Sequence, residues 1–127
     1  WRMAQFGTYA NTGNSADTAD PDGDGWTNAQ EYIFGTNPKT NDYTSLVTIA
    51  ATGGNLTITF VTRQTAGTGY SGLTRYYTVE TNNDLTNSAA WTPLAGYTDI
   101  PASGQNIQVI IPIATAPRFY RLKVRLQ

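Results

Sequence analysis

The sequence predicts a mostly β protein, a small antiparallel β-sandwich preceded by a shorter acidic segment with one or two short helices. Three observations carry this. The 127 residues are rich in Thr and Asn, poor in Lys and Glu, and punctuated by 12 Gly and 6 Pro, which suits short strands joined by turns and suits helices poorly. Apolar residues recur at every second position from about residue 45 onward, the period of a half-buried strand. Ahead of that point the alternation is missing and the acids crowd together.

The two halves divide at 43/44. Residues 1–43 hold Asp17, Asp20, Asp22, Asp24, Glu31 and Asp42 against Arg2 and Lys39, a balance of −4. Residues 44–127 hold three acids against six bases, a balance of +3, so the whole chain is −1. The acidic half calls for a cation, and nothing is basic enough to suggest nucleic acid. No run of 18 apolar residues is present, so no membrane span is expected. Cysteine and histidine are both absent, which excludes disulfides, thiolate metal sites and any Ser-His triad. The chain opens at Trp1 with no charged-then-apolar leader, and reads as a mature product, an excised module or the ordered part of something longer.

In chain order, Trp1 to Phe6 is expected to form a short helix stopped by Gly7, and residues 8–19 read as polar and irregular. A second helix is expected at about 28–34, with Ala29, Tyr32 and Ile33 on one face, Gly35 at its end and Pro38 beyond. Val47, Ile49 and Ala51 alternate, Gly53-Gly54-Asn55 turns the chain, and Leu56, Ile58 and Phe60 alternate back, so 45–62 reads as a hairpin. Residues 64–73 form a Gly-rich loop. A strand at 74–82 sets Tyr77 and Val79 against Tyr76, Thr78 and Glu80. Trp91 leads a short strand to Ala95. Ile107, Val109, Ile111 and Ile113 alternate in the next strand, and Tyr120, Leu122, Val124 and Leu126 in the last. Six or so strands at this spacing describe a small sandwich, immunoglobulin-like or similar.

The sharpest motif is Asp20-Pro-Asp22-Gly-Asp24-Gly25-Trp26-Thr-Asn28-Ala-Gln-Glu31. It sets oxygen side chains at loop positions 1, 3, 5, 9 and 12 with Gly at 6, the ligand spacing of a calcium loop. Gly25 permits the positive φ that turns the chain back. Asp20, Asp22, Asp24 and Glu31 are the expected carboxylate ligands, Trp26 supplies its carbonyl, and Asn28 acts directly or through water. The plainer reading, a charged Asp-Gly turn, leaves four carboxylates within twelve residues with few bases nearby to offset their repulsion. Magnesium suits the loop less well, because an octahedral ion rarely uses an all-protein cage. No helix is expected to lead into Asp20, because residues 8–19 read as irregular, so this is a half EF-hand of loop plus exiting helix.

The stretch from Trp1 through Phe6-Gly7-Thr8, the loop and Glu31-Tyr32 to Gly35-Thr-Asn-Pro38 resembles a C-terminal segment of large secreted proteins of Verrucomicrobia and Planctomycetes, which carries a thrombospondin type 3-like calcium repeat. Tyr77-Thr-Val79-Glu80, Asn83-Asp84-Leu85, Trp91-Thr-Pro93-Leu94 and Arg118-Phe-Tyr-Arg121-Leu122-Lys-Val124 are similar as well. The resemblance covers nearly the whole chain and implies an extracellular or cell-surface, bacterial, non-catalytic module. Trp26 departs from it, standing where Leu is usual. Dockerins use such a loop in two copies, and only one is present.

Two further sets of residues are candidate binding surfaces. Trp26, Tyr70 and Tyr97 fall in loops, where exposed aromatics stack on sugars or anchor a protein; covering a loop or the sandwich edge is the preferred reading. Arg121, Lys123 and Arg125 alternate outward on the last strand. Charge there commonly protects an edge, yet it could also face the acidic end of another copy. Asn55-Leu56-Thr57 matches a glycosylation acceptor, without weight in a bacterial protein. The acids outside the loop (Asp17, Asp42, Glu80, Asp84 and Asp99) sit in no catalytic motif, and no enzyme is expected. The expected partners are a protein or copies of the chain itself, with polysaccharide as the alternative in the manner of an accessory module of a degradative enzyme.

Overall fold

A computed structural model describes residues 1–41, 47–113 and 118–127. The expected start of the first strand at Ser45, the boundary at 43/44 and Asp42 lie outside the described residues. Among the described residues, seven strands form two antiparallel sheets. One sheet runs β1 (Val47–Thr52), β2 (Asn55–Val61), β6 (Asn106–Pro112), with β2 in the middle. The other centres on β3 (Arg75–Asn82), with β7 (Phe119–Leu126) paired along its whole length. The two-residue strands β4 (Thr92–Pro93) and β5 (Ile100–Pro101) share its other side.

The alternation explains the packing. Gly53 and Gly54 have φ of 59° and 79°, the mirror-image turn that a two-residue hairpin loop requires. Thr52 then faces Asn55, and Ile49 faces Ile58. Ile58, Phe60 and Val109 from one sheet meet Tyr77 and Val79 from the other in a buried cluster. The Phe60 and Tyr77 rings lie 5.8 Å apart, nearly parallel. Tyr120, Leu122 and Val124 of β7 pack on this cluster, as do Leu94, Tyr97 and Ile100 from the β4/β5 side. Each fully buried aliphatic or aromatic side chain of this kind contributes about 1.5–3 kcal/mol. The sandwich is thus the expected one, with β5 unannounced by any periodic signal because two residues are too few to show one. Ile49 and Ile113 stay largely exposed, although their positions in the alternation point to the core.

The helices form where expected. α1 is Arg2–Phe6, ended by Gly7 with φ 71°. α2 is Asn28–Phe34, ended by Gly35 with φ 75°, whose N–H bonds the Glu31 carbonyl. Residues 8–19, expected to be irregular, are instead tied down by hydrogen bonds around a 3₁₀ turn at Gly13–Ser15. The buried Ser15 hydroxyl donates to the carbonyls of Ala10 and Thr12.

The helical segment is fastened to the sandwich at the C-terminal end of α2. The last carbonyls of a helix lack helical partners and form the negative end of its dipole. Arg75, only 1% exposed at the start of β3, meets them. Its guanidinium donates to the carbonyls of Ile33 and Tyr32, and to those of Arg63 (2.8 Å) and Gln64 (3.1 Å). Arg63 donates to the Gly35 carbonyl at 3.2 Å. Gly35 must be glycine here, since a Cβ would lie 2.8 Å from the Arg75 guanidinium. Tyr32 and Tyr70 stack at 4.8 Å and exchange hydrogen bonds with backbone carbonyls, Tyr70 Oη to Tyr32 and Tyr32 Oη to Gly69. Trp1 closes the stack edge-on against Tyr32 of α2 at 5.5 Å, while Met3 is exposed.

Candidate metal centre

The acidic loop is organised by its own carboxylates. Asp20 accepts from the N–H of Gly23 on one oxygen (2.9 Å) and from that of Gly25 on the other (3.0 Å). Asp22 accepts from Asp24 N–H at 3.3 Å, and Asp24 from Trp26 N–H at 2.8 Å. Gly23 and Gly25 take φ of 73° and 95°, which turns the chain tightly enough for the three side chains to converge. Asp20, Asp22 and Asp24 each bring an oxygen within 4.8 Å of the others. Two oxygens on opposite sides of a calcium ion stand roughly 4.6–5.2 Å apart, so one ion spans this spacing.

The donor set fits a hard cation. Asp22 Oδ2 is buried and has no hydrogen-bond partner, an arrangement that costs free energy unless something positive meets it. Burial raises the Asp22 pKa above its ordinary value, and the carboxylates of Asp24 and Asp20 add to this, opposed by the hydrogen bond from the Asp24 N–H.

The loop leads directly into α2. Thr27 is the N-cap: its side chain accepts from Gln30 N–H, and the Gln30 side chain accepts from Thr27 N–H at 2.8 Å, a reciprocal capping box. Glu31, the expected closing ligand, sits fully buried on the first turn of α2. It is not part of the group of three carboxylates within 4.8 Å. Trp26 packs edge-on against Phe34, with centroids 4.3 Å apart.

Asn28 plays a part that the loop spacing does not reveal. Its Nδ2 donates to the carbonyls of Asn14 (2.9 Å) and Ala16 (2.6 Å), and its N–H to Ala19. Asn28 therefore stitches the 13–19 segment to α2, while its buried Oδ1 has no hydrogen-bond partner. Asp17 is taken by Arg2 and by Asn11.

The candidate binding surface on the sandwich differs from expectation. Tyr70 is buried between Tyr32 and Arg75, so it offers no face for stacking; burial also raises its pKa and keeps it a phenol. Tyr97 is half-buried and packs against the core. Arg121 and Lys123 both pair with the buried Glu80, at 2.7 and 3.5 Å. Arg125 pairs with Asp99 at 3.1 Å, and its hydrogen bond lowers the Asp99 pKa. Arg121 and Arg125 also lie over the rings of Trp91 and Tyr76. The cationic row is thus largely balanced by its own sheet and does not stand as free positive charge. Asp84 is occupied by the N–H and hydroxyl of Thr86.

Compared with protein-family models, with curated proteins and with solved structures, the chain has no match. Among the described residues, no helix is long and apolar enough to cross a membrane.

Proposed function

We propose that residues 20–31 bind one calcium ion, and that the protein is a non-catalytic, calcium-stabilised extracellular module that makes contacts with protein. The observation that carries the first part is the convergence of Asp20, Asp22 and Asp24 within 4.8 Å, with the buried Asp22 Oδ2 lacking any donor. Glu31 on α2 and the Trp26 carbonyl complete the expected ligand set, with Asn28 nearby. Calcium supplies the positive charge that this group of carboxylates lacks. The N–H bonds to Asp20 and Asp24 hold the loop in the shape that brings these carboxylates together.

Ligand binding of this kind stabilises rather than signals. The described helices bury Asn28 and Glu31 but no large apolar side chain, so the segment has little hydrophobic reason to stay folded. Calcium titration by calorimetry should give one site at neutral pH. Asp24→Ala should abolish it, since that removes a ligand and the acceptor for Trp26 N–H together. Absence of binding heat in the wild-type protein would refute the reading. The non-catalytic role rests on the resemblance and on the acids outside the loop, since Asp17, Glu80, Asp84 and Asp99 are each engaged by a base or a hydroxyl. Sugar binding asks for a row of exposed aromatics. With Tyr70 buried and Trp91 under Arg121, protein contact is the better supported of the two. Retention on a polysaccharide column, lost on Trp26→Ala, would reverse that order.

A further inference from the structure

The helical segment and the sandwich meet along a cleft that neither fills. Its volume is about 760 Å³, within the roughly 300–1,000 Å³ of sites that take small molecules and that favour such boundaries. Trp1, with Tyr32 and Ile33 of α2, lines it from the helical side, and Leu73, Val124 and Leu126 line it from the sandwich side. All six are half-buried, so apolar surface stays open on both walls.

The polar lining is sparse and mostly cationic: Arg2, Arg125, Asp17 and Asn28. Asn28 gives its amide N–H groups to Asn14 and Ala16, and Asp17 is held by Arg2 and Asn11. The arginines have more to give, because a guanidinium carries five N–H donors. Arg2 uses its Nε–H on the Ser15 carbonyl and one Nη–H on Asp17. Arg125 uses its Nε–H on Asp99 and one Nη–H on Gln127. Each has N–H groups beyond these bonds, on side chains 25% and 40% exposed. Their carboxylate partners Asp17 and Asp99 are about half exposed, and ion pairs of that kind are weak. A second acid can therefore share either guanidinium at little cost.

Two apolar walls with two guanidiniums select one kind of occupant. A hydrophilic anion would leave the walls wet, a neutral apolar molecule would leave the arginine donors unused, and a cation would be repelled. We propose that this cleft binds a small amphipathic anion, its apolar body between the walls and its acidic head at Arg125 and Arg2. Charge-assisted bonds from guanidinium to an acid are among the strong ones, and apolar area removed from water adds to them. The site is separate from the calcium loop, since Asn28 is the one expected calcium ligand that lines it.

Two dyes test this directly. 8-Anilinonaphthalene-1-sulfonate and N-phenyl-1-naphthylamine share an apolar body and differ by the sulfonate, so the pair separates the head from the walls. In the full chain with calcium present, fluorescence titration should give one site for the sulfonate, displaced by dodecanoate, and binding roughly tenfold weaker for the neutral dye. Arg125→Gln should weaken the sulfonate by a similar factor and leave the neutral dye unchanged, and Arg125→Lys should restore part of the loss. Ile33→Glu should sharply weaken both dyes. Because Ile33 lies on α2, Leu126→Glu repeats that test from the sandwich wall, with circular dichroism checking the fold of each variant. Equal binding of the two dyes, sulfonate binding unchanged in Arg125→Gln, or dye binding unchanged in both wall variants would overturn the proposal. Calorimetric calcium binding on the same samples reports separately on the loop.

Discussion

The two parts of this molecule are held together by different physics. The sandwich buries Ile58, Phe60, Tyr77, Val79 and Val109 in one cluster, and its stability follows from apolar area removed from water. The segment from Trp1 to residue 41 has a different interior: beside Pro38, its buried residues are the polar Ser15, Asn28 and Glu31, and many of its hydrogen bonds join side chains to the backbone. Trp1 packs on Phe6 and Tyr32, Tyr32 stacks on Tyr70, and Trp26 packs on Phe34, while none of the segment's aromatics is fully buried. A polar interior is directional and leaves charge to be met. The difference teaches why one half can stand on composition while the other is held by an arginine at one end of α2 and, on the proposed reading, by a cation at the other.

The largest expected effect is at that arginine. Arg75→Met removes a buried guanidinium from four carbonyls, leaving them desolvated and the end of α2 unheld. A loss of about 3 kcal/mol is expected, read by urea denaturation, together with weaker calcium binding because α2 carries Glu31. If Arg75→Met unfolds at the wild-type urea concentration, the fastening between the two parts lies elsewhere.

Next comes the metal. At 100 times its dissociation constant a ligand adds about 2.7 kcal/mol, so chelation should lower the melting temperature by an amount that calcium restores. Asp24→Ala should melt like the chelated wild type with or without calcium. Equal melting of all four samples would remove the distinction between the halves.

The raised pKa of Asp22 sharpens the same comparison by pH. Without metal, the folded protein holds this proton more tightly than the unfolded chain does. The stability Asp22 contributes is therefore present below the ordinary carboxylate value and lost as pH rises through the raised one. Calcium binding needs the ionised form, so the calcium-dependent gain in melting temperature should be full at neutral pH and shrink as pH falls into the carboxylate range. Melting scans in calcium and in chelator should converge in acid and separate toward neutrality; parallel scans would count against Asp22 as a ligand.

The smallest effect is at the helix start. Thr27→Ala breaks the capping box and should cost about 1 kcal/mol, measured by denaturation in calcium. The loss should be smaller in chelator if α2 is already loosened there.

What was legible in the sequence divides along the same line. Strands with period-two alternation, such as Leu56-Ile58-Phe60 and Tyr77-Val79, announce which face they bury. The Asp-Gly spacing from Asp20 to Gly25 likewise foretells a converging loop. Arg75 carries no such sign: its partners are carbonyls from two separate stretches of chain, 32–33 and 63–64, and any residue type can offer a carbonyl. Asn28 reads as a loop ligand from position alone, yet its amide holds Asn14 and Ala16 as well. Tyr70, in a Gly-rich loop, looks exposed until α2 brings Tyr32 across it. The charge on β7 is visible in sequence, but its neutralisation by Glu80 and Asp99 depends on the pairing of β3 with β7 and on the turn that carries Asp99.

Hydrogen exchange followed by mass spectrometry, in calcium and in chelator at neutral pH, tests the account most directly, because it reads both parts in one experiment. Chelation should lift protection across residues 11–35, where the loop, the 3₁₀ turn and α2 depend on one another, and leave β2, β3 and β6 protected. The same protection across 11–35 in both conditions would contradict the claim that the polar half of this protein folds around a calcium ion.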